Sequence, residues 1–508
     1  MISARPKRID PQPPRQGAGR DLDEPPAGPS WSGTLLALLG LAITALFMSG
    51  YKPETLARSA AYGVAASLAT TFIADFRRGG LRNLVRADVL AIFGLYFLTL
   101  FEFLFPHSSV NVLTNVTAMH RAIIACLWGM GGLLVGRHII AGGHQRLSTL
   151  LKRPVPHGWM ILIFVVCLLL GHLHMLLAVD FNVIEMLDAC MGPRFTQPWG
   201  RGRFGDWKAL LTELSMLLYI VPPIAGVAFA RRRSFSTAQL AMVVLGFSLV
   251  MFVGFTSGTR NLFIAYLLTF LIGYAFALPR ERRAELIAIT TGTALTALIA
   301  TVLMLEFRSV GLKEWLGGTR LPHAITDDRM HVDMNLVVIG QLVTTFPARH
   351  PYLGLEVPYL AIIRPIPRAI WAGKPEGMTV SLEATAGAEE AWTVASSFIG
   401  ESYMAGGMIA VVLTGLFFGF ACNWWSRLAS PENSEFGILI FATGFFAAAI
   451  SMRSLFVFTT ALLPTIAAIF GTWLLVKRVT SGLLRSKRPR PMAPPRGGPQ
   501  KPVRRLRG

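Results

Sequence analysis

The residues best suited to bind a phosphate group occupy a short polar turn in the second half of the chain. The turn reads TSGTR over 256–260 and separates two apolar stretches. Thr259 is a natural N-cap, Gly258 supplies backbone freedom, and Arg260 adds a full charge at the positive end of the next helix. A helix N-terminus with arginine is a good phosphate seat, so Arg260 is our leading catalytic candidate. The alternative is an arginine that snorkels to the membrane interface.

A long polar segment at about 306–403 contains most of the other basic candidates. It begins with EFR at 306–308 and includes RPIPRAIWAGKP at 364–375. Arginine binds phosphate through paired hydrogen bonds, and tryptophan stacks on sugar rings or lies among lipid headgroups. The alternative is a basic belt that anchors headgroups without catalysis. The predicted substrate-binding residues are Arg308, Arg364, Arg368, Trp371, Lys374 and, between the last two apolar stretches, Arg453.

Candidates for a general base are fewer. Glu401, in SFIGESY at 397–403, and His350 lead, because a carboxylate or an imidazole can accept a proton. A structural ion pair between Glu401 and an arginine is an equal alternative for this acid at a membrane surface. His323 and His331 are candidates by residue type alone.

The sequence predicts neither a metal site nor a cofactor. Asp327, Asp328 and Asp333 could bind a cation, but they are not part of a tightly spaced cluster of metal-ligating residues. His172 and His174 have no acid or cysteine partner nearby, so we interpret them as hydrogen-bonding residues between helices. Walker A, GxSxG and βαβ-framed GxGxxG motifs are missing from the sequence, which argues against chemistry driven by a cytoplasmic nucleotide.

The elements that must position these residues are membrane-spanning helices. The chain has 508 residues, 53% hydrophobic residues and a mean hydropathy of +0.51, which indicates an all-α polytopic membrane protein. Four cysteines are too few for a disulfide framework. Twelve apolar stretches are predicted to span the bilayer, at about 33–50, 57–75, 88–105, 121–140, 158–178, 207–230, 237–255, 261–278, 285–305, 404–425, 436–450 and 456–476.

The basic residues between these stretches alternate between the two sides of the membrane. Clusters occur at 77–86, 146–153, 231–233 and 280–283, in every second gap, and eleven basic residues lie from Lys477 onward. The positive-inside rule therefore predicts that both termini are cytoplasmic and that 306–403 lies outside. The net charge of +20 includes the eleven basic residues of this tail, which would lie beside the anionic inner leaflet. Nucleic-acid binding is therefore not expected.

The composition divides the chain into three regions. Residues 1–30 are rich in Pro, Gly, Arg and Asp and are predicted to form a disordered cytoplasmic N-terminus. Residues 31–478 form the predicted transmembrane domain, with a large outer loop at 306–403. Residues 479–508 form a basic, Pro/Arg-rich tail that is also predicted to be disordered.

Three motifs in this frame resemble the bacterial oligosaccharide repeat-unit polymerases, the Wzy-type O-antigen and exopolysaccharide polymerases. They are SGTR at 257–260, IPRAIWAGKP at 366–375 and SSFIGESYMAGGMIAV at 396–411. The single large outer loop also fits, so the resemblance covers roughly residues 235–475. Thr259 and Asn261 beside Arg260 depart from the family, which often has serine followed by glycine in this turn.

The resemblance implies a GT-C-like, metal-independent membrane glycosyltransferase in the bacterial inner membrane. Its substrates would be undecaprenyl-diphosphate-linked oligosaccharides, polymerised at the periplasmic face among membrane lipids. A flippase and a chain-length regulator would be its partners. Arginines at the outer surface suit this chemistry, because the leaving group is a diphosphate that cations can stabilise.

Three alternatives remain open. An O-antigen-ligase-like enzyme would use the same donor with a lipid A core acceptor, and a deletion strain would lose attachment rather than chain length. A polysaccharide or lipid transporter would show repeats, broken helices and intramembrane charges. Enzymes that use dolichol-phosphate sugars have a pair of acids in the first outer loop. The first outer loop here, at 51–56, has only Glu54 as an acid, so this class is disfavoured.

Overall fold

The chain folds as a bundle of helices. The computed structural model describes residues 27–140, 142, 145–194, 196–199, 208–279, 282–318, 334–368, 370–375, 377–380, 385 and 395–486. Within these ranges the regular structure is entirely helical, which confirms the predicted all-α class for the described part of the chain. Of the predicted disordered regions, 1–30 and 479–508, residues 1–26 and 487–508 lie outside the described residues, whereas 479–486 are helical and contradict the prediction.

Eight helical stretches among the described residues are long and apolar enough to cross a membrane, so a multi-pass membrane protein is supported. The sixth predicted stretch contains a 3-10 segment, Leu214–Ile220, and the last helix, Leu463–Ser486, extends into the predicted tail. The eight stretches are Val116–Gly136, His157–Ala178, Leu211–Ala230, Thr237–Thr256, Arg260–Ala277, Ala284–Phe307, Ser397–Ser426 and Leu455–Arg478.

The other four predicted spans coincide with helices that are shorter or less apolar. Trp31–Phe47, Ala87–Thr99 and Glu435–Ser451 are apolar but have at most 17 residues. Pro53–Gly79 has 27 residues, but it is rich in alanine and carries arginines at both ends. The count of twelve spans therefore remains a prediction. Shorter helices connect the bundle: Val110–Leu113, Gln145–Leu151, Val183–Cys190, Lys208–Glu213, Leu312–Leu316, Glu356–Ile363, and the 3-10 turns Leu81–Asn83, Phe101–Leu104 and Arg232–Ser234.

The predicted outer segment 306–403 also contributes a helix to the core. Asn335–Thr345 has 11 residues, of which nine are buried. It packs against Val116–Gly136 and Ser397–Ser426. The Asn335 side chain donates to the carbonyl oxygen of Leu98 at 2.8 Å, which anchors the start of this helix inside the bundle.

Glycines allow the two central helices, Val116–Gly136 and Ser397–Ser426, to pack backbone against backbone. A Cβ at Gly415 would lie 2.6 Å from the carbonyl oxygen of Gly129, so no larger residue fits there without separating the helices. Such small-residue contacts commonly hold membrane helices together, because they maximise van der Waals contact. The glycines at this interface are Gly132, Gly136, Gly415 and Gly419.

Two buried ion pairs lie at one end of this helix pair, and the first of them joins Val116–Gly136 to Pro53–Gly79. Arg137 Nη1 lies 2.8 Å from Asp75 Oδ2, and Arg86 Nη2 lies 2.8 Å from Asp88 Oδ2. All four side chains are essentially inaccessible to solvent. Ser426, at the end of the Ser397–Ser426 helix, accepts the backbone N–H of Ala87 at 2.9 Å.

The helix Arg260–Ala277 defines the two ends of the bundle. Arg260 is its first residue, and at its other end the carbonyl oxygen of Ala277 accepts a hydrogen bond from Arg231 Nε at 3.4 Å. We call these the Arg260 end and the Arg231 end. The helix that connects the two ends has 18 residues and is about 27 Å long.

Thiol labelling of intact cells tests which end faces out. Ala348 and Thr149 are exposed and lie in segments predicted to be on opposite sides, while the four natural cysteines are free and buried. An impermeant maleimide should label Ala348→Cys on intact cells and Thr149→Cys only after permeabilisation. The reverse pattern would overturn the predicted orientation.

Candidate functional site

The SGTR turn at 257–260 folds tightly between two span-length helices. Gly258 has φ +64, and the Ser257 hydroxyl accepts the backbone N–H of Thr259 at 3.1 Å. The helix begins at Arg260 with Thr259 at its N-cap, as predicted, but the Thr259 side chain makes no capping bond. Its hydroxyl contacts the Ser257 carbonyl oxygen at 3.4 Å. The serine's local bond thus shapes the turn, and the threonine does not occupy the first N–H groups of the helix.

Arg308 lies directly against this turn. A Cβ at Gly258 would be 2.9 Å from the Cβ of Arg308, so the absence of a side chain permits the approach. Arg308 follows the helix that ends at Phe307, and its carbonyl oxygen accepts the backbone N–H of Arg194 at 3.3 Å. Three segments that are distant in sequence therefore meet at the SGTR turn.

Arg453 reaches the same turn from the connection that follows Glu435–Ser451. With the Asn261 amide oxygen facing the guanidinium, this oxygen accepts from Arg453 Nε at 2.9 Å and from Nη1 at 3.3 Å. Arg260 and Asn261 are adjacent, so Arg453 is held beside the first turn of the helix. This contact supports the predicted grouping of Arg453 with Arg260.

Glu401 binds the two residues that follow Arg453 in the same connection. The Ser454 hydroxyl donates to Glu401 Oε1 at 2.6 Å, and the backbone N–H of Leu455 donates to Oε2. Glu401 is only 3% exposed, although the sequence places it at the mouth of a span. Its carboxylate binds the start of the helix Leu455–Ala461.

A break in the Ser397–Ser426 helix places Glu401 in this position. Gly406 and Gly407 have non-helical backbone angles, with φ +63 at Gly407. The break frees carbonyl groups, and the backbone N–H groups of Leu353 and Gly354 donate to Met404 and Ala405 at 2.8 and 2.9 Å. We call Ser397–Ser426 the kinked helix.

A further basic segment, 364–375, lies near Glu401, and we call it the basic loop. Arg364 interacts electrostatically with the Glu401 carboxylate, and its Cζ lies 6.0 Å from the centre of the Phe456 ring. The Thr459 hydroxyl donates to the carbonyl oxygen of Ala361. This bond joins the helix Glu356–Ile363, which precedes the basic loop, to Leu455–Ala461. The basic loop is thus fixed to the element that Glu401 caps.

The cations of the basic loop are close enough to affect one another. Lys374 Nζ donates to the carbonyl oxygens of Arg364 and Ile366, both at 2.8 Å. Burial, followed by repulsion from Arg368 and Arg364, lowers the pKa of Lys374 below its ordinary value. Trp371 is half-buried, and its carbonyl oxygen accepts the backbone N–H of Lys374 at 3.2 Å. This concentration of positive charge would be relieved by a bound anion.

His350 does not join this group through any described contact. It is exposed, its backbone N–H approaches the Thr345 carbonyl oxygen at 3.4 Å, and its ring centre lies 6.0 Å from that of Phe346. Arg349, which the sequence assigns to the loop surface, is also exposed.

Other sequence candidates cannot be placed. His323, His331, Asp327, Asp328 and Asp333 lie outside the described residues. Among the described residues, three or more His, Cys, Asp or Glu side chains do not cluster as metal ligands would.

The sequence reasoning did not identify two features of the site. Arg194 belongs to the outer gap at 179–206, and its Cδ lies 3.9 Å from a Cβ built on Gly258. Tyr352 and Tyr403 pack edge to face with ring centres 6.1 Å apart, and the Tyr352 hydroxyl lies over Gly407. The arginines of the 179–206 gap were the available signal for Arg194, whereas the tyrosine pair depends on the kink.

No family model, curated protein or solved structure matches this chain. The interpretation of the site therefore rests on its own geometry.

Replacing Gly258 tests the close approach of the turn to Arg308. Gly258→Ala should lower the midpoint of thermal unfolding in detergent, because positive φ costs a non-glycine residue about 1–2 kcal/mol and the new Cβ meets Arg308. Gly292→Ala is the matched control, since a Cβ there meets no atom within 4 Å. Equal stability of the two variants would refute the contact.

Proposed function

We propose that this chain is a membrane glycosyltransferase that polymerises undecaprenyl-diphosphate-linked oligosaccharide repeat units. The observation that carries the proposal is the convergence of Arg260, Arg308, Arg453 and Arg364 around Glu401 at one end of a membrane bundle. Lipid-linked diphosphates present their charge at headgroup level, which is where the proposal puts these cations. In the orientation that the positive-inside rule predicts, this end faces the periplasm of a bacterial inner membrane.

The proposed reaction is a displacement at the anomeric carbon of the growing glycan. A hydroxyl oxygen of the incoming repeat unit forms the new bond to that carbon, and the bond from carbon to the diphosphate oxygen breaks. The hydroxyl proton passes to a base, and undecaprenyl diphosphate leaves with the bonding electron pair. Arginines that neutralise charge on the leaving group lower the barrier without a metal ion.

The site divides into two groups of cations with separate roles. Arg260 ends the SGTR turn, Arg308 and Arg453 lie beside it, and these three arginines are assigned to the diphosphate that leaves. Arg364, Arg368 and Lys374 lie on the basic loop and are assigned, with Trp371, to the second lipid-linked substrate. Two groups suit a reaction in which both substrates carry diphosphates.

Glu401 fits a positioning role better than the role of the base. Both carboxylate oxygens already accept hydrogen bonds, and the side chain is buried. Those bonds hold Ser454 and therefore the neighbouring Arg453. The base remains unassigned, and His350 stays a prediction.

A transporter is the second candidate, because one observation favours it. The kinked helix is broken at Gly406 and Gly407, and broken helices are typical of transporter binding sites. Purified protein in liposomes without any ion or voltage gradient distinguishes the two functions. Elongation of a lipid-linked donor there supports a transferase, whereas movement of lipid-linked glycan without elongation supports a transporter.

Substitutions at Arg260 test the phosphate seat. Arg260→Lys keeps the charge but loses the paired hydrogen bonds, so polymer synthesis should fall. Arg260→Ala should fall further, by at least about 2 kcal/mol of transition-state stabilisation. Polymer length on a gel, at matched protein level, is the measurement. The same substitutions at exposed Arg349 should be mild, and long polymer from Arg260→Ala would remove Arg260 from the site.

Glu401→Gln tests the positioning role. The amide keeps one acceptor oxygen but faces a donor with its nitrogen, so about 1–3 kcal/mol of support for the helix start is lost. We expect reduced synthesis with an unchanged shape of the pH–rate profile. Loss of the acidic limb of that profile would instead identify Glu401 as the base. Glu314→Gln, an exposed acid in the predicted outer segment, is the control.

A further inference from the structure

The Arg231 end of the bundle contains a large basic cavity, separate from the candidate site. It has a volume of about 1150 Å³ and lies between the helices Arg260–Ala277 and Ala284–Phe307. Five arginines line it, drawn from three different connections between helices. They are Arg82, Arg231, Arg232, Arg233 and Arg282.

Arg82 is the central observation. Its side chain lines the cavity although the residue is only 5% exposed, and its Nε has no hydrogen-bond partner. The guanidinium lies 5.1 Å from the centre of the Phe276 ring, which also lines the cavity. Burial lowers the pKa of Arg82 to about 10. Burying a cation with an unused donor costs free energy, and a bound anion would offset that cost.

The acids around the cavity do not balance its arginines. Arg232 and Arg282 share Glu285, and Arg231 pairs with Glu435 at 3.2 Å. Five guanidinium groups face these two carboxylates, so the described side chains leave an excess of positive charge. The ion pairs hold the arginines in place and still leave room for a polyvalent or monovalent anion.

The remaining wall of the cavity is apolar, and part of it is exposed on the outside of the bundle. Leu271 and Ile272 contribute from one helix, and Leu286 and Ile287 from the other. Only 6% of the apolar window of Ala284–Phe307 is buried, and Ile287 is 64% exposed. Such surface must be covered by hydrocarbon in a membrane. The cavity therefore combines a cationic mouth with a wall suited to an acyl chain.

We propose that this cavity binds an anionic glycerophospholipid, with its phosphate at Arg82 and Arg233 and an acyl chain along the apolar wall. Basic pockets between membrane helices are a common setting for anionic headgroups. Its arginines lie beyond the far end of the helix that begins at Arg260, a helix about 27 Å long, so the cavity is distinct from the proposed transfer site. The bound lipid joins the connections that contain Arg82, Arg231 and Arg282, and so stabilises this end of the bundle.

The test measures thermal unfolding of the full-length purified chain in detergent. Phosphatidylglycerol should raise the unfolding midpoint in a saturable manner, whereas phosphatidylcholine and inorganic phosphate should have much weaker effects. A polyprenyl monophosphate is the fourth probe. If it stabilises the protein and phosphatidylglycerol does not, the site serves a lipid carrier and the proposal is wrong.

Substitutions locate the effect in the cavity. Arg82→Met removes the buried charge and keeps the volume, so lipid-free stability should not fall, while the apparent affinity for phosphatidylglycerol should drop at least tenfold. Arg233→Gln, at an exposed position, should weaken affinity severalfold and covers the case in which Arg82→Met does not fold. Arg427→Met is the matched control, because Arg427 is exposed at the same end but outside the cavity. An unchanged lipid response in both cavity variants would overturn the proposal.

Discussion

The arrangement of the bundle depends on the ion pairs that it buries at one end. Arg137 with Asp75 and Arg86 with Asp88 lie where water does not reach, and removing one partner of such a pair typically costs about 3–5 kcal/mol. Arg137 specifies which helices are neighbours, because it pairs with Asp75 on Pro53–Gly79 and its Nη1 lies 3.8 Å from Asp88 Oδ2 on Ala87–Thr99. Arg137 also donates to Thr34, on the first helix, and to Thr71, which adds a second contact to Pro53–Gly79.

The kinked helix connects the buried ion pairs at one end of the bundle to Glu401 at the other. Its last residues bind the charge cluster through Ser426, and its glycines allow it to lie directly against Val116–Gly136. At the opposite end, the break at Gly407 turns its first residues so that Glu401 reaches Ser454. A rigid anchor and a local break thus set the position of a carboxylate about 25 residues away in sequence.

The two basic regions differ in how their cations are held. At the Arg260 end, arginines from separate segments meet around one turn and one buried acid, an arrangement suited to substrates that come and go. At the Arg231 end, most arginines pair with Glu285 or Glu435, and Arg82 is buried against an aromatic ring. That arrangement suits a ligand that stays and supports structure. The helix Arg260–Ala277 separates the two regions, so each can be altered independently.

The sequence alone determined the features that depend on local pattern. Apolar length predicted helices at all twelve proposed positions, because a backbone in hydrocarbon must satisfy its own hydrogen bonds. The turn signal at 257–260 located the start of a helix at Arg260, since cap and glycine preferences act over a few residues. The basic residues that later proved to be neighbours were also visible as clusters between spans.

Tertiary structure alone decided which of those clusters meet. The bonds of Glu401 to Ser454 join residues 53 positions apart, and Arg86 contacts Asn423 across 337 positions, beyond the reach of any local pattern. The helix Asn335–Thr345 is too short to be recognised as part of the core by length, and it is buried only because two other helices cover it. Thr259 occupies its expected position but loses its capping bond, because the Ser257 hydroxyl organises the turn. Local sequence specifies helices and their ends, whereas contacts between distant segments specify the site.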